Sequence, residues 1–218
     1  MESRAEKLTS GAGAAFIVLI NVGNGIANAG LSGSNRPTAQ EAAADAAYLA
    51  THGLNKVGVG LEILGFCLFI VFLGRLIVLL RERGGVWGMT AVVAGLSMLA
   101  VKLGSGVSTL VAGLDREQLS ATESLFLTDI GSVAFVLSWV PMGLFVAALA
   151  STHLVGRNLR WTGLIAGLAS VATGIVGVFD PGKAIVVPFL LCMLWTLVAS
   201  VRLVAKPAAV TEPLPVLV

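Results

Sequence analysis

The sequence predicts an all-α fold, a polytopic bundle of six transmembrane helices, and three observations carry that prediction. Hydrophobic residues make up 56% of the 218 and charged ones 12%, with a mean hydropathy of +0.93, which is too apolar for a soluble domain. Six stretches are long enough for a hydrocarbon layer of about 30 Å, which takes about 20 apolar residues per helix. The basic residues also fall unevenly on the two sides once those stretches are threaded through a bilayer.

The six spans are expected over residues 11–31, 57–80, 86–111, 126–150, 161–179 and 184–204. The first is not a signal peptide: its flank mixes Glu2 and Glu6 with Arg4 and Lys7, and three asparagines interrupt its core. Between the first two spans lies the one long connection, residues 32–56. There Thr38 and Glu41 form a T-x-x-E capping box before an alanine-rich run, which predicts a short surface helix with Tyr48 and Leu49 as its membrane-facing or cavity-facing anchors. The charged connection over 115–124 suggests a second surface helix. Pro141 and Pro188 each free a carbonyl inside a span and predict bends. Span three carries Gly88, Gly95, Gly104 and Gly106, and span five Gly163, Gly167, Gly174 and Gly177, the small residues that let helices approach closely in lipid. Residues 1–206 read as a single transmembrane domain, and the proline-rich tail over 207–218 as disordered.

Of the 14 basic residues, Arg4, Lys7, Arg75, Arg81, Arg83, Arg157, Arg160, Arg202 and Lys206 share a side with the N-terminus. Only Arg36, Lys56, Arg116 and Lys183 flank the other side, so the positive-inside rule puts both termini in the cytoplasm. The expected location is a bacterial cytoplasmic membrane, crossed several times. This asymmetry accounts for the net charge of +2 and the pI near 8.7, and leaves no case for nucleic-acid binding. Cys67 and Cys192 lie in separate apolar spans without a CxxC, as packing residues. No metal, nucleotide or acyl-transfer motif occurs, and His52 and His153 fall in loops on opposite sides, so no metal or cofactor is expected.

What remains is polar and buried by depth. Glu62, Lys102, Asp129 and Asp180 belong to four different spans and all come toward the external side. Charges at such depth face a partner or a cavity and mark working sites. Asn21, Asn24 and Asn28 share one face of the first span; Ser105 and Thr109 lie above Lys102, and Thr128 and Ser132 flank Asp129. With one cation for up to three carboxylates, a carboxyl left without a counter-ion is a candidate general acid, Glu62 or Asp129. Trp87 and Trp161 begin their spans as interfacial anchors. Trp139 and Trp195 lie within spans, where Phe66, Phe69, Phe135 and Phe189 are able to join them around an apolar cavity offering π faces to a cation or a polyene.

The pattern GLEILGFCLFIVFLGRL, then AVKLGSG, SWVPMGLF and RWTGLIAGLAS resembles a broad family of six-span actinobacterial membrane proteins of unknown function. In size and span composition the chain is also similar to small integral-membrane terpene cyclases of bacterial indole-sesquiterpene and meroterpenoid secondary metabolism. That resemblance implies a lyase or isomerase acting on a lipophilic isoprenoid substrate by protonation. Glu62 or Asp129 would then be the catalytic acid, and Asn24, Asn28, Lys102, Trp139, Trp195 and Asp180 would bind substrate. The alternatives are a carrier of small solutes, protons or cations, and an accessory membrane subunit. The implied partners are the lipid membrane and a lipophilic small molecule; oligomeric state is left open.

Overall fold

The structure, a computed structural model, describes residues 4–33, 37–81, 84–114, 119–152, 154–180 and 185–205. Along them run α1 (Arg4–Ala27), α2 (Ala39–Thr51), α3 (Gly53–Leu80), α4 (Gly85–Leu114), α5 (Ala121–Leu137), α6 (Trp139–Ser151), α7 (Arg157–Phe179) and α8 (Val187–Ala205), with no strand among the described residues. Six segments are long and apolar enough to cross a membrane: α1, α3, the Gly85–Ser108 part of α4, α5 and α6 together as Ala121–Ser151, α7 and α8. The all-α, six-span membrane bundle is therefore the fold. The alternating path puts the start of α1, the α3–α4 turn, the α6–α7 loop and the end of α8 at one end, termed basal. The end that carries α2 is termed distal.

The surface helix α2 opens as the sequence predicts. Thr38 is its N-cap, with the hydroxyl accepting from the Glu41 N–H at 3.3 Å and the Glu41 carboxylate accepting from the Thr38 N–H at 2.7 Å. Ala42 and Ala46 are buried beneath it, and the Asp45 carboxylate accepts from both the N–H and the hydroxyl of Ser32. Its last turn stacks Tyr48 on His52, ring centroids 3.7 Å apart. Gly30, at φ 85°, lies against that Tyr48 ring, where no Cβ fits.

Other boundaries differ from expectation. The first span begins at Arg4 and stops at Ala27, so Asn28 lies just past its end. A second capping box, Ser120 with Glu123, opens α5; the described part of the expected second surface helix is thus the first turn of span four, while residues 115–118 are outside the described set. The same holds for residues 207–218, the Pro181-Gly182 pair after Asp180, and His153. Pro141 does interrupt its span. It is the third residue of α6 and has no N–H for the Leu137 carbonyl, and the chain breaks between α5 and α6 at Ser138. Pro188 does not bend its helix, because α8 starts at Val187 and a proline in the first turn displaces no helical hydrogen bond.

Two glycine crossings bring backbones together. Between α1 and α3, a Cβ at Gly58 would fall 2.6 Å from the Gly23 carbonyl; between α6 and α7, one at Gly167 would fall 2.6 Å from the Gly143 carbonyl. Gly163 meets the Trp195 ring and Ala150, so the Gly163-xxx-Gly167 face packs as the sequence predicts. Gly104 and Gly106 have open space instead. At the middle of the bundle Phe16, Phe69, Phe72 and Phe145 are all but fully buried, Phe16 and Phe69 being 4.5 Å apart and Phe69 edge-on to Phe145 at 5.5 Å.

Below that aromatic layer lies a buried polar knot that holds the basal end. Arg75, read from sequence as a topology signal, is 6% exposed. It pairs with Glu6 at 3.2 Å and donates to the Ser10 hydroxyl at 3.4 Å. The Ser200 hydroxyl is wedged into the α1 ladder: it accepts from the Ala14 N–H at 2.9 Å and donates to the Ser10 carbonyl. A hydroxyl inserted in this way joins α8 to α1 and gives α1 a local reason to curve.

Candidate functional site

The distal half brings together residues from five spans. α3 carries Glu62 against Gly23 of α1, where an added Cβ would lie 2.9 Å from the Glu62 side chain, and Asn24 is a side-chain neighbour of the Glu62 carboxyl. From α4 comes Lys102, which makes no ion pair with Glu62. The ammonium is instead placed over the Phe135 ring of α5, 3.9 Å from its centroid, with Phe189 of α8 at 5.9 Å. At such distances a ring face attracts a cation, more strongly where water is excluded.

Behind the ammonium stands an aromatic wall. Phe135 meets Trp139 edge-on at 5.7 Å and Phe189 at 5.8 Å, and Trp139 stacks on Phe189 at 5.6 Å. Phe135 and Trp139 are four residues apart and stay on one side across the break at Ser138. Ser138 directs its hydroxyl to the Phe135 carbonyl at 2.6 Å, and Ser170 of α7 donates to the Trp139 carbonyl at 3.0 Å. The Trp139 Nε1–H is buried without a hydrogen-bond acceptor among the described residues.

Of the residues picked from sequence, Glu62, Lys102, Asn24 and Trp139 meet here. The others are elsewhere. Asp129 is exposed on α5, six residues before Phe135 and so on a different helical face. Asn28 turns back to donate its amide to the Asn24 carbonyl at 2.8 Å. Asp180 ends α7, its N–H donating to the Val176 carbonyl at 2.8 Å. Trp195 belongs to the basal half, donating from Nε1 to the Leu159 carbonyl at 2.7 Å. The hydroxyls of Ser105 and Thr128 are taken up by the carbonyls of Lys102 and Ser124 in their own helices, a common satisfaction of hydroxyls in apolar surroundings. Asn21 likewise donates to the Ile17 carbonyl.

Sequence reasoning missed Asn55, which is 3% exposed and caps the end of α1 beside the site; a single amide near a span terminus carries no distinguishing signal. Among the described residues no three His, Cys, Asp or Glu side chains are grouped as a metal ion would require. What the arrangement offers is one carboxyl, one ammonium and three aromatic faces, in a half-buried setting at membrane depth. Set against known protein families, curated proteins and solved structures, the chain matches none.

Proposed function

We propose that the protein is an intramembrane enzyme that cyclises a lipophilic isoprenoid substrate by proton transfer, with Glu62 as the acid. The observation that supports this reading is the Lys102 ammonium seated on Phe135 rather than paired with Glu62. The aromatic wall stabilises a cation, and the carboxyl beside it is free to act in its acid form.

In this reaction Glu62 donates its proton to an alkene carbon or epoxide oxygen. A neighbouring π bond attacks the carbon made electron-poor, forming the ring bond and moving the positive charge along the chain. Lys102 swings from the ring to the new Glu62 carboxylate, which leaves the faces of Phe135, Trp139 and Phe189 to the carbocation. Loss of a proton from the carbon next to the cation, back to Glu62, restores the acid. Product and substrate are isomers, and no cofactor takes part. Asn24 orients the acid.

A carrier of protons or cations, the other reading, needs a polar route between the ends. The buried Phe16, Phe69, Phe72 and Phe145 lie between the Glu62 region and the Arg75–Glu6 knot, which favours a site open on one side over a conduit. The test is incubation of membrane-embedded protein with polyprenylated aromatic substrates and their epoxides, with mass spectrometry for cyclised isomers. Product from wild type and none from folded Glu62→Gln supports the proposal; normal turnover in Glu62→Gln, or no product from wild type across the panel, rejects it.

A further inference from the structure

The basal end holds a second constellation that the distal site does not use. Where α6 gives way to α7, a cleft of about 390 Å³ is lined by Thr152, Val155, Arg157, Arg160 and Trp161. Beside the cleft a third arginine comes from α8: a Cβ on Gly156, the N-cap of α7, would come within 2.9 Å of the Arg202 guanidinium carbon, so that guanidinium lies against this glycine.

Three features make this more than a set of solvated charges. Among the described residues the guanidinium groups of Arg157, Arg160 and Arg202, all three exposed, have no carboxylate or hydrogen-bond partner. Two of them occupy the first turn of α7, which has no acidic residue and no side-chain cap; that is the end of a helix where positive charge is least favourable and an anion most favourable. Finally, the cleft sits where three spans end, with Val155 as its apolar floor and Trp161, 60% exposed, beside it. That is the level of lipid headgroups, where indole rings and basic pockets between helices meet the bilayer surface.

We propose that this cleft binds the phosphate of an anionic phospholipid headgroup, with Arg157, Arg160 and Arg202 as its ligands and Trp161 against the glycerol and upper acyl region. The phosphate supplies the counter-charge that these arginines lack among the described residues. Arginine is suited to this because its planar fork donates two parallel hydrogen bonds to phosphate oxygens, whereas a lysine supplies only a point charge. Gly156 keeps the space into which the Arg202 fork fits.

The test uses the full chain in a non-ionic detergent, with native mass spectrometry after titration of phosphatidylglycerol or phosphatidylcholine. Replacing all three arginines by lysine keeps the positive charge that orients the spans and removes only the forks; Arg202→Lys alone is the milder variant should the triple one fold poorly. Arg81→Gln, an exposed charge at the same end outside the cleft, reports on diffuse attraction. One phosphatidylglycerol retained by wild type and by Arg81→Gln, with about tenfold weaker retention in the lysine variants, is the expected result. Equal retention of phosphatidylcholine, unchanged retention in the lysine variants, or equal loss in Arg81→Gln would overturn the proposal. Displacement of the lipid by millimolar inorganic phosphate would overturn its lipid source and leave a site for the free anion.

Discussion

Asn55 and Ala27 lie 28 residues apart and are joined by the shortest of three hydrogen bonds from one side-chain amide: Nδ2 donates to the Ala27 carbonyl at 2.7 Å, and to those of Ile26 at 3.3 Å and Ala29 at 3.2 Å. The carbonyls at a helix end have no partner within the helix, and in a bilayer water is a poor substitute. The start of α3 thus seals the end of α1, two turns before the Glu62 site.

Asn55→Ala is expected to destabilise the protein by about 1–3 kcal/mol, because buried carbonyls lose their donor. Asn55→Asp is expected to do more harm, since a carboxylate cannot donate to carbonyls. Both are read from unfolding in mixed detergent micelles, with hydrogen exchange accelerating at the end of α1. Wild-type stability in Asn55→Ala would remove the cap from this account.

The glycine crossings are to be told apart from glycines in open space. Gly167→Ala drives a methyl group into the Gly143 carbonyl and the Ala147 backbone, and overpacking of that kind costs about 1–3 kcal/mol. Gly104→Ala meets nothing within 4 Å, so it is expected to leave stability unchanged or raise it by about 0.5–1 kcal/mol through helix propensity. In the same unfolding assay Gly167→Ala should lower stability and Gly104→Ala should not.

Lys102 and Phe135 should be energetically coupled. Removing the ammonium with Lys102→Met and the ring face with Phe135→Leu, singly and together, gives a double-mutant cycle whose interaction energy is expected at about 0.5–2 kcal/mol. Strict additivity would mean that the ammonium leaves the ring in the membrane.

The α2 cap carries a pH dependence whose sign is set by Glu41. Hydrogen bonds from the Thr38 backbone and hydroxyl hold its carboxylate below the ordinary value of 4.5. A depressed folded value means that the cap contributes fully above 4.5 and is lost as the pH falls through the lower, folded value. Protection factors of the α2 amides are therefore expected to drop in that acidic window. Glu41→Gln should abolish the drop, and Thr38→Ala should loosen α2 by about 1 kcal/mol at neutral pH.

By itself the sequence determined that the chain is a membrane bundle with six apolar spans, that Thr38 and Glu41 start a surface helix, and along which span each ionisable residue falls, because length and hydropathy are local properties. It also picked out Glu62, Lys102, Asn24 and Trp139, which the structure gathers, but it ranked Asp129, Asp180, Asn28 and Trp195 with them. Only tertiary structure decided between these groups. In a bilayer the lipid is as apolar as the protein interior, so a span shows no hydrophobic stripe to say which face looks inward; Asp129 and Phe135 differ by a helix rotation that no local pattern encodes. Arg75 is the same lesson at the other end. As a residue in a sequence it is one more positive charge near a span terminus, and it becomes a buried partner of Glu6 and Ser10 only because α1 packs along α3.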